Sequence, residues 1–209
     1  MSQSVLIRIL IVDDHSIVRQ GLAAMIENEL DMTVVGQAGN GQEAIDQYRQ
    51  LQPDITLMDL RMPQMSGVDA TLAICAEFAR ARIIILTTYD GDEDIYRGLH
   101  AGAKGYLLKD AEPDALLNAI HIVHSGRQYI PPEVAAKLVQ RMKDPELTQR
   151  EQEIVHLMAD GLSNHDIGAA LNITESTVKF HINRILSKLG VSDRTQAVVK
   201  ALKRGLTKL

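Results

Sequence analysis

The sequence predicts two domains: an α/β domain built on an open five-stranded parallel sheet, and a second, smaller all-α domain of four helices. Three observations predict this. The front of the chain alternates short aliphatic runs with helical periodicities, the rear shows helical periodicity alone, and the charge balance differs between them. Residues 1–130 hold 18 acids and 10 bases, whereas residues 171–209 hold 2 acids and 8 bases. Domains of such different charge are expected to have different partners.

Five short runs rich in β-branched and aliphatic residues predict buried parallel strands. They are Val5–Val12, Met32–Gln37, Ile55–Met58, Ile83–Leu86 and Gly105–Leu108. Apolar residues at helical spacing predict the faces of three intervening helices: Val18, Leu22, Met25 and Ile26; Val68, Leu72, Cys75, Ala76 and Ala79; Leu116, Leu117, Ile120 and Val123. The segments Gly41–Leu51 and Asp92–Ala101 complete the alternation. A strand–helix unit repeated five times implies a parallel sheet with helices on both faces.

Helix breakers separate the two predicted domains. Gly126, Pro131–Pro132 and Asp144–Pro145 interrupt any continuous helix. We therefore expect a front domain over residues 1–126 and a rear domain over residues 147–209. The linker over residues 127–146 is expected to contain a short helix, Glu133–Met142.

Capping residues organise the rear domain into helices. Thr148 and Glu151 stand at capping-box spacing at the start of its first helix. The later helices are expected to begin at these caps: Ser163 or Asn164, Thr174, and Ser192 or Asp193. Only the short segment Leu171–Ile173 separates two of these helices, which is typical of a helix-turn-helix.

The composition excludes several classes of protein. The chain has 209 residues, of which 45% are hydrophobic and 23% charged, as in ordinary globular proteins. A single cysteine, Cys75, excludes an internal disulfide and a four-cysteine zinc site, and it favours a reducing, cytoplasmic compartment. No apolar run is long enough to span a membrane, and we do not expect a secretory signal.

Polar residues follow four of the five predicted strands. Asp13 and Asp14 follow the first, Asp59 the third, Thr87 the fourth and Lys109 the fifth. In a parallel sheet these positions share the carboxyl edge, where ligands bind. Three crowded carboxylates repel one another, and such oxygen ligands suit Mg²⁺. The alternative is that Asp13 or Asp14 only caps the first helix.

Four stretches of the front domain resemble the receiver domain of two-component response regulators. They are IVDDH (11–15), LMDLRMPQMSG (57–67), LTTYD (86–90) and AGAKGYLLK (101–109). The resemblance implies a flavodoxin-like (βα)5 receiver sheet in which a sensor histidine kinase phosphorylates Asp59. It also implies that Thr87 and Lys109 contact the phosphoryl group and that Tyr106 is an aromatic switch coupled to Thr87.

The same resemblance implies a magnesium site beside the phosphoacceptor. Asp14, Asp59 and the backbone carbonyl of Arg61 would hold Mg²⁺ directly, and Asp13 would hold it through water.

One position departs from the family pattern. Many receivers carry proline after the lysine that corresponds to Lys109, and this chain carries Asp110. A cis bond before a residue other than proline costs about 2.5–4 kcal/mol, so we expect a trans or strained bond there.

The rear domain resembles the LuxR-type DNA-binding domain, and together with the receiver it resembles the NarL/FixJ subfamily. The match runs from LTQRE (147–151) to RTQAV (194–198). It implies that Lys179, Phe180 and Asn183 face the major groove. The implied contacts to the DNA backbone are Ser176, Thr177, His181, Arg184 and Lys188. Relatives often carry lysine where this chain has Asn183, so the operator sequence is not predicted.

The combination predicts a transcription regulator that is not an enzyme beyond phosphotransfer to its own Asp59. Phosphorylation is expected to favour a homodimer that binds two half-sites on double-stranded DNA. One alternative is a DNA-binding regulator with an inactive receiver, which does not depend on phosphorylation. The other is a phosphatase that uses Asp59 as nucleophile, but the second acid that such enzymes need two residues on is Arg61 here.

Overall fold

The computed structural model describes residues 6–88, 91–142, 145–204 and 206–207. The predicted strand start at Val5, the predicted breaker Asp144 and the motif residues Tyr89 and Asp90 lie outside the described residues. The chain divides into two compact units, one ending at Leu138 and the other beginning at Val139.

The front unit is built on a five-stranded parallel sheet. The strands are β1 (Ile7–Val12), β2 (Met32–Ala38), β3 (Ile55–Met58), β4 (Ile83–Thr87) and β5 (Gly105–Leu108). Their spatial order is β2-β1-β3-β4-β5, and every neighbouring pair is parallel. The predicted α/β class and strand content are confirmed. The strand order reverses beside β1, so β1 and β3 flank the switch point where such sheets bind ligands.

Helices cover both faces of this sheet. They are α1 (Ser16–Glu27), α2 (Gly41–Leu51), α3 (Gly67–Glu77), α4 (Asp92–His100) and α5 (Pro113–His124). Side chains alternate across each strand, so Leu10 and Ile85 belong to the core layer under α2, α3 and α4. Ile11 and Ile84 belong to the opposite layer, which also contains Ile26 of α1.

The predicted inward face of α3 is correct for Val68 and Cys75, which pack against the core, and wrong for its other residues. Leu72 is 57% exposed, and Ala76 is exposed as well. The buried residues are Ala70 and Ile74, with Gly67 and Thr71 beside them. α3 is apolar on nearly all sides, so its periodicity does not single out a face, and packing against the sheet decides which residues are buried.

A segment assigned to the linker by its sequence contacts the front unit. Tyr129 forms a bridge with Gly105 of β5, and its carbonyl accepts the backbone N–H of Tyr106 at 3.0 Å. Val134, in the next helix α6 (Pro132–Met142), is buried in the core layer with α2 and α3. The predicted boundaries at residues 126 and 147 remain predictions.

Four helices form the rear unit: α7 (Gln149–Ala159), α8 (Asn164–Leu171), α9 (Glu175–Leu189) and α10 (Arg194–Lys203). The predicted capping box of Thr148 and Glu151 is confirmed. Ser163, Thr174 and Asp193 cap the other three helices through their side-chain oxygens. Each cap satisfies a backbone N–H that a helix start leaves unpaired. The predicted all-α second domain is therefore confirmed.

Within the described residues, no helix combines the length and apolar character needed to cross a membrane.

Candidate functional site

The carboxyl edge of the sheet brings together an acidic cluster around one lysine. Asp13 follows β1, Asp59 follows β3 and Lys109 follows β5. The Lys109 Nζ atom lies 2.5 Å from Asp13 Oδ2 and 2.7 Å from Asp59 Oδ2. Both carboxylates are buried, since Asp13 is 2% and Asp59 4% exposed. The structure thus assembles these side chains as the strand ends predict.

The backbone around Asp59 holds its side chain in one orientation. The Asp59 N–H donates to the carbonyl of Val12 at 2.9 Å, which ties the residue to the end of β1. Asp59 Oδ1 accepts the backbone N–H of Leu60 at 2.7 Å. The following loop then folds back on it, so closely that a Cβ at Gly67 would lie 1.7 Å from the Asp59 carbonyl oxygen. Only glycine fits at this close approach.

The charges of this cluster are not balanced. Asp13, Asp14 and Asp59 provide three carboxylates, and Lys109 provides one ammonium. Burial by itself lowers the pKa of Lys109, but hydrogen bonds to Asp13 and Asp59 outweigh this effect, so the pKa of Lys109 is raised above its usual value. Lys109 therefore stays charged at neutral pH, and the cluster keeps an excess of negative charge.

The acidic cluster fits a divalent metal by its donor set. Asp13, Asp14, His15 and Asp59 each offer a ligand atom, and these atoms lie within 4.8 Å of one another. Carboxylate oxygens suit a hard cation such as Mg²⁺. The predicted carbonyl ligand belongs to Arg61, whose exposed guanidinium pairs with Asp94 at 3.2 Å.

His15 belongs to this cluster and was not predicted to do so. His15 occupies the cap position of α1 without a side-chain cap bond, so the alternative in which Asp13 or Asp14 caps α1 is wrong. Its backbone N–H donates to Asp13 Oδ1 at 2.8 Å, and its Nδ1 lies 2.8 Å from Asp14 Oδ1. In the sequence, the position of His15 directly after Asp13 and Asp14 was the signal that could have placed it in the cluster.

Thr87 and Tyr106 lie on the sheet face that α4 covers. Thr87 is the last residue of β4, two residues after Ile85, and its side chain is fully buried. Tyr106 pairs with Ile85 across the β4–β5 ladder and is also fully buried. A Cβ at Gly98 of α4 would lie 3.7 Å from the Tyr106 ring.

The peptide bonds of the described residues include no cis bond, so the bond before Asp110 is trans.

The helix-turn-helix of the rear unit is closed by a glycine. The carbonyl of Gly168 in α8 accepts the backbone N–H of Ile173 at 2.9 Å. A Cβ at Gly168 would lie 2.8 Å from the Ile173 carbonyl oxygen. The two helices approach this closely at the turn because no side chain intervenes, and α9 then presents its second face to solvent.

The exposed face of α9 carries the residues predicted to contact DNA. Lys179, Asn183 and Arg184 are exposed, as are Ser176 and Phe180. Phe180 is 57% exposed, which is unusual for a large aromatic side chain. The Arg184 guanidinium carbon lies 5.7 Å from the centre of the Phe180 ring.

Two predicted backbone contacts, Thr177 and Lys188, are hydrogen-bonded inside the rear unit, and a third, His181, is partly buried there. Thr177 donates its N–H to the capping Oγ1 of Thr174 at 3.2 Å. The Nδ1 atom of His181 is buried and has no hydrogen-bond partner among the described residues. Lys188 Nζ lies 2.6 Å from Glu151 Oε2. Their predicted contacts with DNA stay predictions.

Glu151 is the buried carboxylate at the centre of the rear unit. It is 1% exposed, and its Oε2 accepts the backbone N–H of Thr148 at 2.8 Å. Arg184 Nε lies 3.6 Å from Oε1. Burial raises the pKa of Glu151, but hydrogen bonds from Lys188 and Thr148 outweigh burial, and its pKa lies below the usual value.

Comparison with known proteins decides the family. The chain matches the response regulator receiver domain over residues 9–121. It matches the luxR family of bacterial regulatory proteins over residues 145–201. The chain belongs to the two-component response regulators with a LuxR-type DNA-binding domain. The response regulator thus carries the acidic cluster in its receiver domain and α9 in its DNA-binding domain.

Relatives match this response regulator along nearly its whole length. The transcriptional regulatory protein LiaR of Bacillus subtilis is 43% identical over 204 residues, which cover 94% of this chain and 97% of LiaR. The crystal structure of the response regulator ChrA, from a heme-sensing two component system, is 40% identical with a TM-score of 0.58, covering 96% of this chain and 98% of ChrA. The structure of two RcsB dimers bound to two parallel DNAs is 25% identical with a TM-score of 0.74, covering 95% and 98%.

Proposed function

We propose that this response regulator is a transcription regulator whose DNA binding is switched by Mg²⁺-dependent phosphorylation of Asp59. The observation that carries the proposal is the buried Asp59 carboxylate, held 2.7 Å from Lys109 at a sheet edge with excess negative charge. The phosphodonor is a phosphohistidine of a sensor histidine kinase. The protein acts beside its DNA, in the cytoplasm.

The chemistry is a displacement at phosphorus. A carboxylate oxygen of Asp59 attacks the phosphorus atom, the P–N bond of the phosphohistidine breaks, and the histidine nitrogen leaves with the bonding electron pair. The Leu60 N–H keeps the Asp59 side chain oriented through Oδ1. Lys109, already charged, then moves its hydrogen bond from Asp59 to a phosphoryl oxygen.

Asp14, Asp59 and the carbonyl of Arg61 would hold Mg²⁺ directly, and Asp13 would hold it through water. When bound, Mg²⁺ neutralises charge on the phosphoryl oxygens. His15 lies within reach of these atoms. Its imidazole nitrogen is a weaker ligand for Mg²⁺ than a carboxylate oxygen, so we give His15 no direct role in holding this metal.

The switch runs from Thr87 to Tyr106. The Thr87 hydroxyl donates to the phosphoryl group on Asp59, and this changes the space available to the Tyr106 ring on the same sheet face. Support comes from the burial of both side chains and from the approach of Gly98 in α4 to the ring. Repacking of α4 and β5 would then favour a homodimer.

DNA recognition is assigned to α9. Lys179, Phe180 and Asn183 would face base edges in the major groove, and phosphate contacts would set the register. The backbone contacts proposed are Ser176, Thr177, His181, Arg184 and Lys188. Dimerisation brings two such helices to two half-sites. The RcsB dimers solved on DNA support this arrangement.

Intact mass after incubation with acetyl phosphate and Mg²⁺ tests the proposal. Wild type should gain one phosphoryl group, and Asp59→Asn should gain none. The control is Asp46→Asn, an exposed carboxylate on α2, which should gain one as the wild type does. Labelling retained in Asp59→Asn would place the acceptor elsewhere, and no labelling of the wild type, even by histidine kinases, would favour the regulator with an inactive receiver.

A further inference from the structure

The amino edge of the sheet, away from Asp59, holds a pocket lined by cations. Its volume is about 170 Å³, and its charged lining residues are Arg80, Arg82, Lys104 and Arg127. Arg82 directly precedes β4 and Lys104 directly precedes β5. The pocket is therefore separate from the acidic cluster, because the two lie at opposite ends of the same strands.

The cations of this pocket pair with no carboxylate in the part of the chain that the structure describes. Among the residues that the structure describes, Arg80, Arg82 and Lys104 make no side-chain hydrogen bond and no ion pair. Arg127 donates its Nε–H to the hydroxyl of Ser125, at 3.2 Å. The other lining residues are Ala79, Ala81, Val123 and Gly126.

The presence of four basic residues around one pocket runs against the charge of the domain. Residues 1–130 hold 18 acids and only 10 bases, and four of those bases line this pocket. Two other arginines of the unit do pair with carboxylates: Arg49 with Glu77 at 2.8 Å and Arg61 with Asp94 at 3.2 Å. The surplus acids of the domain are thus not used to neutralise the pocket.

The carboxyl end of α5, which helps to line the pocket, does not account for the cations. A helix terminus carries about half a negative charge. The last carbonyls are already partly satisfied, since those of Ile122 and Val123 accept the backbone N–H groups of Arg127 at 3.2 Å and Gly126 at 3.0 Å. Four full positive charges therefore leave a large excess of positive charge over the partial negative charge of this helix end.

We propose that this pocket binds a diphosphate anion, either free pyrophosphate or the diphosphate group of a nucleotide. Guanidinium groups donate paired hydrogen bonds that match phosphate oxygens, and Lys104 adds a compact cation. The volume of about 170 Å³ is below the roughly 300 Å³ at which sites for drug-sized ligands begin. The pocket therefore holds the phosphates and leaves any nucleoside outside. This proposal does not depend on phosphorylation of Asp59.

Calorimetric titration of the full chain with sodium pyrophosphate tests the inference. The buffer contains EDTA and no divalent cation, so that the acidic cluster does not recruit the anion through a metal. We expect one pyrophosphate per chain, and binding weakened about tenfold or more in Arg82→Gln with Lys104→Gln. Two controls should bind as the wild type does: Arg49→Gln, which removes a paired arginine, and Lys179→Gln on α9.

A second pair of substitutions is used if the first double variant does not fold stably. If the first double variant melts early in circular dichroism, Arg80→Gln with Arg127→Gln replaces it, because both side chains are exposed. Equal affinities for pyrophosphate and ADP would show that the pocket recognises the diphosphate alone. Tighter binding of ADP would show that the bound diphosphate group belongs to a nucleotide. The proposal is overturned by the absence of saturable binding, by equal losses in Arg49→Gln, or by a loss confined to Lys179→Gln.

Discussion

The two domains each bury a carboxylate against a lysine, and the surroundings of the two pairs differ. Asp59 is 4% exposed with Lys109 at 2.7 Å, and Glu151 is 1% exposed with Lys188 at 2.6 Å. Lys109 is shared with a second buried carboxylate, which leaves its cluster negative. Glu151 instead has Lys188, which also donates to the Glu146 carbonyl at 2.9 Å, together with a backbone N–H and a nearby arginine.

An ion pair by itself does not mark a functional site. What differs is the charge left over after the pair has formed. The excess negative charge around Asp59 is compatible with a divalent metal, which in the function proposed above would attract a phosphoryl group. The compensated charge around Glu151 holds the capping box of α7 to α9, which is a structural role.

The largest effect expected is a complete separation of function between the two carboxylates. Asp59→Asn should abolish phosphorylation, and Glu151→Gln should leave it unchanged, because only Asp59 carries the attacking oxygen. Intact mass after acetyl phosphate and Mg²⁺ measures both. Equal labelling of the two variants would contradict the proposed difference in function between Asp59 and Glu151.

Loss of the lysine from the compensated pair should cost stability. Lys188→Met leaves the buried Glu151 carboxylate without its closest cation, and we expect about 3 kcal/mol of destabilisation. Hydrogen exchange of α7 and α9 amides in the full chain measures it. Lys179→Met is the matched control, since its exposed pair with Glu175 at 2.8 Å should be worth less than about 1 kcal/mol. Similar losses in both variants would contradict the structural role of Lys188.

Lys179 should matter for DNA instead of stability. Lys179→Ala should cost about 1–3 kcal/mol of specific binding if the side chain contacts a base. A fluorescence titration with a selected operator, repeated at several salt concentrations, measures the loss. A uniform loss across operator sequences would move Lys179 from the base-contacting set to the backbone contacts.

The smallest expected effect is a pH-dependent loss of stability when Glu151 is replaced. The pKa of Glu151 is lowered in the folded protein, so its carboxylate stabilises the fold above the unfolded pKa of about 4.3, and this contribution is lost as pH falls through the folded pKa. Glu151→Gln should therefore cost about 1.5 kcal/mol at pH 7, and the gap to wild type should close below pH 4. Urea unfolding across this range measures the gap, and a constant difference would exclude the titration of Glu151 as its cause.

Local patterns in the sequence were sufficient for the elements and for the position of the acidic edge. The strand Ile55–Met58 and the helix Gly41–Leu51 were predicted residue for residue, because β-branched runs and capped helices are specified by near neighbours. The same reasoning placed Asp59 and Lys109 at one edge, since all parallel strands end there.

Local patterns were insufficient where a residue's partner is distant in sequence. Leu72 was expected to be buried and is exposed, because α3 is apolar on several sides and only the sheet selects among them. Lys188 looked like a free DNA contact, yet it reaches Glu151 on another helix. Tyr129 looked like linker and instead pairs beside β5.

The amino-acid sequence was enough to predict the order of strands and helices, the caps and the charged residues, since each depends on residues close together in the chain. Which charges meet depends on the folded protein. The fold placed Lys109 between two carboxylates, gave Glu151 its cations, and brought Arg82 and Lys104 to one pocket without a paired carboxylate among the described residues. The physical reason is that electrostatic balance depends on distances across the fold, and these are set by packing between residues far apart in the chain.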